Sequence, residues 1–489
     1  MNDTFARLAL TPRFQLLPER FFAKVAPTPL AEPVLAIWNA PLAAQLGLDP
    51  DTNAHVGLTD YLTGNLLIPG SEPLASVYCG HQFGVYVQQL GDGRAILIAE
   101  VKDRNGIVQE IQLKGAGPTP WSRRADGRAV LRSSIREYLC SEAMYGLGIP
   151  TTRALAMTAS PEAIWRETRE TAAVVARVAP TFVRFGHFEF YCHHGDHEGL
   201  RTLVDWTIEH FYPECADAAS PALALLEAVI ARTAILLAHW QAVGFCHGVM
   251  NTDNMSILGL TLDYGPFGFM DGFDAGHICN HSDESGRYAY NQQPQIALWN
   301  LQALAQALLP LLDREAAIAA LHTFQDLFET AFAAQFQSKL GLPDWRDEDW
   351  GLLTALFNLL QAGRTDWTNF WRDLASLGLQ DAHPCPALRD RFVDREAFDL
   401  WLTDYRERVA ATGDAVAVIQ ERARAANPKY ILRNHLAEIA IRKAQQGDFS
   451  EMQRLHDCLS QPFAEQPEYA DYAAAPPDWA ASLSVSCSS

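Results

Sequence analysis

The feature that most constrains the fold of this chain is a strand–turn–strand–helix pattern in its first third. Residues 95–101 form a mostly apolar run, and the side chains of residues 107–114 alternate between two faces, as in a β-strand. Between the two segments lies Asn105-Gly106, the strongest short signal for a hairpin turn. Apolar spacing then predicts a helix over residues 131–145. The pattern therefore predicts an antiparallel hairpin followed by a helix.

The remainder of the chain is patterned mainly for helices. Residues 172–178 and 181–185 are predicted to be extended, and beyond them the apolar spacing becomes helical. A long helix is predicted through residues 226–240, with Gly244 as its stop, and several more helices follow it. From residue 466 onward Ala, Pro, Tyr and Ser dominate, so an irregular tail is expected rather than a packed element.

Composition excludes several classes of function. The chain of 489 residues has 58 acidic and 38 basic side chains, and its formal net charge of -20 repels nucleic-acid backbones and anionic membranes. It opens without the pattern of a secretory signal, and no apolar run reaches the ~18 residues of a membrane span. We therefore expect a cytoplasmic protein with neither nucleic acid nor membrane among its partners. A polyphosphate must bind at a local cluster of Arg and Lys, together with a divalent cation.

A loop with metal-ligand chemistry follows the predicted long helix. His247, Asn254 and the triplet Asp263-Tyr264-Gly265 occur in the order of the His-Arg-Asp…Asn loop and the Asp-Phe-Gly motif of protein kinases. An amide and a carboxylate are hard oxygen ligands of the kind that Mg²⁺ requires. Each piece alone could be a loop with capping residues, but the pieces in this order predict a metal site.

The same loop departs from the kinase pattern at the catalytic base. Val249 occupies the position of the usual catalytic Asp, and a carboxylate is found instead at Asp253, beside the proposed metal ligand. By position, this chain is not a standard kinase, and Asp253 is the natural replacement for the base.

Charged residues upstream could hold phosphates. Lys114 ends the second predicted strand, and Glu137 lies 23 residues later on the predicted helix, as in the kinase Lys–Glu pair. Alone, these could be two surface charges on neighbouring elements; the downstream motifs favour the pair. Six arginines concentrate positive charge in this acidic chain: Arg94, Arg123, Arg124, Arg128, Arg177 and Arg184. Arginine forks suit phosphate oxygens, although some of the six must simply form surface ion pairs.

Seven stretches of the sequence resemble the selenoprotein O family. They are residues 80–84, 89–94, 113–117, 123–128, 130–139, 247–256 and 427–434. The string His-Gly-Val-Met-Asn-Thr-Asp-Asn within them is highly specific, and the resemblance runs from about residue 14 to the C-terminus. The family is known as kinase-like protein adenylyltransferases, pseudokinases that bind ATP in a flipped orientation and transfer AMP to Ser, Thr or Tyr hydroxyls of proteins.

The resemblance implies an α+β, protein-kinase-like fold with two lobes. The expected boundaries are 1–185 for a strand-rich N-terminal lobe with the nucleotide-binding elements, 186–465 for a larger helical lobe with the catalytic loops, and 466–489 for the irregular tail. The element pattern has the same layout, but many α+β chains share it.

The resemblance also implies a set of residues around ATP. They are Gly91, Gly93, Arg94, Lys114, Asp126, Gly127, Glu137, Arg177, Arg184 and Asp263. Lys114, Arg177 and Arg184 would hold phosphates, and Glu137 would orient the lysine. By themselves, Gly91-Asp92-Gly93-Arg94 and the Asp-Gly-Arg at 126–128 would be ordinary turns.

The remaining implied roles concern catalysis and the metal. Asp253 would accept a proton, while Asn254 and Asp263 would bind Mg²⁺, with Mn²⁺ as an alternative. Two other functions compete with AMP transfer: a phosphotransferase, against which Val249 argues, and an inactive nucleotide-binding scaffold. The intact residues Lys114, Asn254 and Asp263 argue against the scaffold. We expect protein substrates with accessible hydroxyls, and a monomer.

Redox control is a separate hypothesis. Some family members carry selenocysteine near the C-terminus, where this chain has Cys487. We hypothesise that oxidation links Cys487 to Cys279, which lies in the predicted activation segment, and that the tail then restricts substrate access. The bond would form only transiently in a reducing cytoplasm.

Overall fold

The computed structural model describes residues 5–377 and 386–485 of the chain. It shows a mixed α/β protein with antiparallel strands. The strands in the described part of the chain are β1 (Phe22–Lys24), β2 (Val34–Trp38), β3 (Leu74–Ser76), β4 (Gly80–Gln82), β5 (Val85–Val87), β6 (Ala95–Lys102), β7 (Val108–Lys114), β8 (Ala129–Val130), β9 (Arg153–Trp165), β10 (Arg169–Ala179), β11 (Phe245–Cys246) and β12 (Gly268–Phe269).

Helices dominate the chain after the large sheet. The described helices are α1 (Ala40–Gln45), α2 (Leu58–Thr63), α3 (Leu131–Gly146), α4 (Phe185–His193), α5 (His197–Phe211), α6 (Pro221–Val243), α7 (Gln293–Leu308), α8 (Arg314–His322), α9 (Phe324–Lys339), α10 (Asp349–Gly363), α11 (Trp367–Leu374), α12 (Pro386–Arg389), α13 (Arg395–Ala410), α14 (Val416–Ala426), α15 (Asn434–Ala444) and α16 (Ser450–Leu459).

Eight strands form one antiparallel sheet in the order β1-β3-β6-β7-β10-β9-β2, and β8 pairs with β10 beside this path. The predicted hairpin is β6–β7, in which Ala95 lies opposite Lys114. Its turn is closed by Asp103, whose Oδ1 accepts the backbone N–H groups of Asn105 and Ile107 at 2.9 Å each. The hairpin fixes Lys114 at the end of β7, between β6 and β10.

The predicted helix after the hairpin is α3, which connects the sheet to the helical part. It packs against β9 and β10 on one side and against α15 and α16 on the other. Even its polar residues are largely enclosed: Arg136 and Glu137 are both buried. The helix therefore carries Glu137 into the interior instead of exposing it to solvent.

The predicted long helix is α6, the central helix of the helical part. It begins with Pro221 and ends at Gly244, which adopts a left-handed conformation with φ of 71°. With a mean hydropathy of 1.8, it is long and apolar enough to cross a membrane by length and composition. Its sequence contains no uninterrupted apolar run of that length because Glu227, Arg232 and His239 interrupt it. Since α6 packs against α7, α8 and α9 in the core, it has the role of a buried core helix.

Two segments differ from the sequence prediction. Phe185 does not end an extended segment but begins α4, and the backbone N–H of Arg184 donates to the His187 ring at 3.1 Å at the helix start. The tail was expected to be irregular and unpacked, but it contains two 3-10 helices, Pro467–Ala473 and Asp478–Ser482, and part of it packs. Tyr472 is buried, and its hydroxyl donates to Glu451 Oε1 at 2.5 Å. The ring and the hydroxyl of Tyr472 thus attach this part of the tail to α16, where a buried tyrosine hydroxyl finds its hydrogen-bond acceptor.

Cys487, one of the two cysteines of the hypothesised disulfide, lies outside the described residues. The Cys279 thiol is half-buried and donates to the Cys246 carbonyl at 3.4 Å. The backbone N–H of His281 donates to the carbonyl of Val485 at 2.8 Å. The described end of the tail thus reaches the segment that contains Cys279, and the disulfide stays a prediction.

Candidate functional site

A cleft of 720 Å³ lies where the sheet meets the loop after α6. Eleven of the predicted site residues line it: Gly91, Gly93, Arg94, Lys114, Asp126, Gly127, Arg177, Arg184, Asp253, Asn254 and Asp263. Glu137 is not at the cleft surface but lies behind Lys114. Residues that are far apart in sequence are therefore brought to one cleft.

The inner end of the cleft is a buried charge cluster, which we call the inner cluster: Lys114, Glu137, Arg177, Arg184 and Asp263. Lys114 Nζ lies 2.7 Å from Glu137 Oε2 and 3.1 Å from Asp263 Oδ1. Burial lowers the pKa of Lys114, and the two carboxylates oppose that shift. The predicted Lys–Glu pair is therefore present, with a second carboxylate beside it.

Two buried arginines complete the inner cluster. Arg177 comes from β10 and contacts Glu137 Oε1 at 3.1 Å as well as Asp263 Oδ1. Arg184 precedes α4 and contacts the other carboxylate oxygen of Asp263, and it also donates to the Asp253 carbonyl at 2.9 Å. Each arginine is only 2% exposed. Three cations thus converge on one aspartate, a density of positive charge unlike the acidic surface of the chain.

Asp263 is held in an unfavourable backbone conformation at the centre of the inner cluster. Its φ of 58° lies in the left-handed region, which costs a non-glycine residue roughly 1–3 kcal/mol when the surroundings impose it. Burial would raise the pKa of its carboxyl, but Lys114, Arg184 and Arg177 outweigh burial and hold the pKa well below its usual range. The carboxylate is therefore ionised at neutral pH.

The loop after α6 is fixed from the interior. The ring of His247 stacks on Trp240 and its Nε2 lies 3.0 Å from the Leu262 carbonyl. Asn254 ends a short 3-10 turn and donates its side-chain N–H to the Val249 carbonyl at 2.8 Å. This bond uses the amide nitrogen and leaves the amide oxygen as the atom that could bind a cation.

Asp253 lies beside Asn254 under the short β4–β5 hairpin. Its Oδ2 accepts a hydrogen bond of 3.0 Å from the Gln82 side chain, while its buried Oδ1 has no hydrogen-bond partner among the described residues. Burial raises the pKa of this carboxyl to about 6. An under-satisfied carboxylate at the cleft is costly for folding and is typical of a group with a chemical role.

The donor set fits Mg²⁺ better than a transition metal. In the ranges 5–377 and 386–485, no group of three or more His, Cys, Asp or Glu side chains could hold a metal. What the cleft offers is the ionised carboxylate of Asp263 and the amide oxygen of Asn254. Mg²⁺ is usually held by one or two carboxylates together with water and substrate phosphates, so a sparse oxygen set suits it.

The outer part of the cleft, which we call the rim, is built from loops. Gly91 and Gly127 both have positive φ, and a Cβ on them would lie 2.6 Å from Trp121 Cγ and 2.1 Å from the Gly117 carbonyl, respectively. Close packing therefore requires glycine at both positions. A side chain on Gly93 would also be crowded, since its Cβ would lie 3.1 Å from a backbone carbonyl.

The charges of the rim are arranged unlike those of the inner cluster. Arg94 and Arg123 are exposed and line the cleft, and neither is paired with a carboxylate in the part of the chain that the structure describes. Asp126 is instead bound by both nitrogens of the Arg166 fork, at 2.7 and 2.9 Å. Asp126 therefore positions another arginine at the rim, Arg166, which also lines the cleft.

Sequence reasoning missed several supporting residues. Gln112 accepts a hydrogen bond from Arg177, and its place on the polar face of β7, beside Lys114, could have indicated it. Gln82 lies in a stretch that was recognised but given no role. Tyr78 packs its ring 4.8 Å from the Arg184 guanidinium, and no local pattern in the sequence marks it.

Comparisons with known proteins agree with this arrangement. The family model described as protein adenylyltransferase SelO matches residues 4–460. The protein nucleotidyltransferase YdiU of Cupriavidus metallidurans is 54% identical over 496 residues, covering 98% of this chain and 91% of that protein. Proteins of the same name from Thioalkalivibrio sulfidiphilus and Thiobacillus denitrificans are both 52% identical; the matches cover 97% and 99% of this chain, and 97% and 100% of those proteins.

Proposed function

The chain belongs to the family of the protein adenylyltransferase SelO, and from this premise we propose that it is an enzyme that transfers AMP from ATP to Ser, Thr or Tyr hydroxyls of proteins. The observation that carries the proposal is the convergence of Lys114, Arg177 and Arg184 on Asp263 at the inner end of the cleft. A nucleotide with three phosphates needs such a local concentration of cations, because the net charge of the chain would otherwise repel it.

We propose a protein-kinase-like fold as the framework of the site. The strand-rich lobe would comprise residues 1–185, the helical lobe residues 186–465 and the tail residues 466–489. The Lys114–Glu137 pair supports this proposal, since a strand lysine paired with a helix glutamate is the phosphate-orienting device of kinases. The cleft at the meeting of the sheet and the catalytic loop agrees with it.

The inner cluster would bind the part of ATP that leaves. In AMP transfer the bond between the α-phosphorus and the bridging oxygen breaks, and pyrophosphate departs with the electron pair of that bond. Lys114, Arg177 and Arg184 would hold the β- and γ-phosphates and stabilise the charge that develops on pyrophosphate. Because the arginines are already buried and fixed, little reorganisation is needed at the moment of reaction.

Asp263 and Asn254 would hold Mg²⁺, with Mn²⁺ as an alternative. A bound cation would neutralise phosphate charge next to the arginines. Asp263 is suited to this role because its carboxylate is ionised, and Asn254 because its amide oxygen is left free by the bond to Val249. The rim residues Gly91, Gly93, Arg94, Asp126 and Gly127 would surround the rest of the nucleotide.

Asp253 would act as the general base. The acceptor hydroxyl would pass its proton to the Asp253 carboxylate, and its oxygen would form the new bond to the α-phosphorus as pyrophosphate leaves. This assignment rests on two observations: Val249 replaces the usual catalytic carboxylate, and Asp253 lines the cleft with an incompletely hydrogen-bonded side chain. We also propose that the protein acts in the cytoplasm and as a monomer.

Transfer of labelled ATP tests the proposal. The protein is incubated with Mg²⁺, dialysed bacterial extract as the source of acceptors, and ATP labelled at either the α- or the γ-phosphate. We expect protein-bound label from α-labelled ATP and none from γ-labelled ATP. Label from γ-labelled ATP alone would instead identify a phosphotransferase, and no label from either would favour the inactive scaffold.

A further inference from the structure

We propose that Gln82 is a positioning residue that fixes the orientation of the Asp253 carboxylate; this inference rests on the proposed function. Gln82 ends β4, a strand that pairs with β5 and is not part of the large sheet. Its side-chain N–H donates to Asp253 Oδ2 at 3.0 Å. Among the described residues, Gln82 is the side chain that donates a hydrogen bond to Asp253 Oδ2, and Asp253 Oδ1 accepts no hydrogen bond.

The second carboxylate oxygen is confined by the same strand. A Cβ on Gly80 would lie 2.9 Å from Asp253 Oδ1 and 3.0 Å from Asp253 Cβ. Only a residue without a side chain allows β4 to approach the aspartate this closely. Gln82 therefore holds one oxygen while the Gly80 backbone encloses the other, and the carboxylate cannot rotate freely about its bond to Cβ.

The strand that carries Gln82 is itself anchored on both sides of the site. The backbone N–H of His81 donates to Thr252 Oγ1 at 2.7 Å, directly before Asp253. The His81 ring nitrogen Nδ1 lies 2.5 Å from Oε2 of Glu189, a fully buried residue of α4. At the tip of the hairpin, the backbone N–H of Phe83 donates to Asn251 Oδ1 at 3.1 Å. The backbone that carries Gln82 is therefore held in place by these contacts on both sides of Gln82.

A base must be aligned with the hydroxyl proton that it accepts, so a fixed carboxylate orientation matters for turnover more than for ATP binding. The substitution Gln82→Met tests whether Gln82 fixes the Asp253 carboxylate, because it keeps the length of the side chain and removes the hydrogen-bond donor. We expect kcat to fall by roughly 10- to 100-fold, since a misplacement of about 1 Å can cost about 10²-fold. The KM and Kd for ATP should stay close to those of the wild type.

Gln82 also lines the cleft, so it could instead contact the nucleotide or the acceptor directly. A double-mutant cycle with Asp253→Asn separates these roles. AMP transfer from α-labelled ATP to dialysed bacterial extract is measured for the wild type, both single variants and the double variant. If Gln82 acts through Asp253, Gln82→Met causes no further loss once Asp253 is replaced. The control is Gln88→Met, an exposed glutamine just beyond the same hairpin, which should leave kcat unchanged.

The outcomes separate this inference from the proposed function. Independent, multiplying losses in the double variant, or a rise in KM with unchanged kcat, would overturn the positioning role. Wild-type turnover in Gln82→Met with an inactive Asp253→Asn would overturn the inference alone. Full activity of Asp253→Asn, or no transfer by the wild type, would overturn the proposed function and the inference with it. An unchanged Kd for ATP shows that each variant is folded.

Discussion

The inner cluster and the rim of the same cleft carry positive charge in opposite ways. In the inner cluster, Lys114, Arg177 and Arg184 are buried and held by carboxylates before any nucleotide arrives. At the rim, Arg94 and Arg123 are exposed on glycine-containing loops, and no carboxylate pairs with them in the described ranges of the chain. The inner cluster is preorganised, whereas the rim is open and screened by solvent.

This difference indicates that the inner cluster and the rim have different roles in the cleft. The desolvation cost of burying three cations is offset by the carboxylates of Glu137 and Asp263, which lie among them. The three cations are therefore already fixed in position when phosphate oxygens bind. Exposed arginines attract phosphate groups by an electrostatic force that weakens with salt concentration and does not require an exact geometry. We therefore expect chemistry to depend mainly on the inner cluster and the adjoining Asp253.

The largest effect is expected when the centre of the inner cluster is removed. Asp263→Asn should abolish AMP transfer and Mg²⁺-dependent nucleotide binding, because it removes the charge of the carboxylate that we propose as a ligand of Mg²⁺. It should also lower the free energy of unfolding by about 3–5 kcal/mol, since buried cations lose their partner. Label transfer, ATP titration and urea unfolding measure these effects.

The matched control is Asp399→Asn, which breaks a partly exposed pair with Arg389 in the helical part. It should leave activity unchanged and change stability by less than about 1 kcal/mol. Equal effects of the two variants would mean that the inner cluster is an ordinary set of ion pairs.

Asp253→Asn should separate chemistry from binding. Turnover is expected to fall by about 10²–10⁴-fold, the usual contribution of a general base, while ATP binding is largely kept. Single-turnover labelling and calorimetric titration with ATP measure the two quantities. Retained turnover would show that the base lies elsewhere, and a parallel loss of ATP affinity would assign Asp253 to nucleotide binding.

The arginines test the contrast between the inner cluster and the rim directly. Arg177→Ala and Arg184→Ala should each weaken ATP binding by about 1.5–3 kcal/mol, with little change for adenosine, because charge-assisted bonds to phosphate are lost. Arg94→Ala and Arg123→Ala should have smaller effects that shrink further at high salt. Titrations with ATP and adenosine at two salt concentrations make the comparison. Equal losses for both ligands would indicate a folding defect instead of phosphate recognition.

Lys339 is a buried cation outside the cleft, and it can be compared with the buried cations of the inner cluster, which are paired with carboxylates. Lys339 is buried against Trp367 and Trp371, and within the described residues it forms no ion pair with a carboxylate. Burial lowers its pKa to about 7. Between this pH and its unfolded pKa of about 10.4, the unfolded state binds a proton that the folded state does not, so stability should rise with pH, by up to about 1.4 kcal/mol per unit.

Lys339→Met should remove this pH dependence and leave AMP transfer unchanged. Urea unfolding of the wild type and the variant from pH 7 to about 10 isolates the contribution, since other groups cancel in the difference. The control is Lys102→Met, an exposed lysine. A constant difference between wild type and Lys339→Met across this range would contradict the assignment.

Secondary-structure elements were predicted correctly where short sequence patterns determine them. The β6–β7 hairpin, α3 and α6 follow from a turn dipeptide, helical spacing and glycine stops, and the Lys114–Glu137 pair follows from their order. The helical start at Phe185 was missed because the residue before it, Arg184, is still extended, so the change from strand-like to helical backbone falls within the predicted segment.

Long-range partners could not be read from the sequence. The convergence of Arg177 and Arg184 on one carboxylate depends on how β10 and α4 meet the loop after α6, which no local pattern encodes. The contact between Gln82 and Asp253 could not be predicted either, because the two residues are 171 positions apart in the sequence. Asp126 was expected to line the cleft and does so, but its bond to Arg166 required the structure.

Intact-mass analysis of an acceptor protein identifies the transferred group. A purified acceptor from the labelled extract is incubated with the protein and Mg·ATP, and its mass is compared with that after incubation with Asp263→Asn. We predict AMP transfer, in which the wild type adds the mass of one adenylyl group to the acceptor and the variant adds nothing. Addition of a phosphoryl group by the wild type would contradict it.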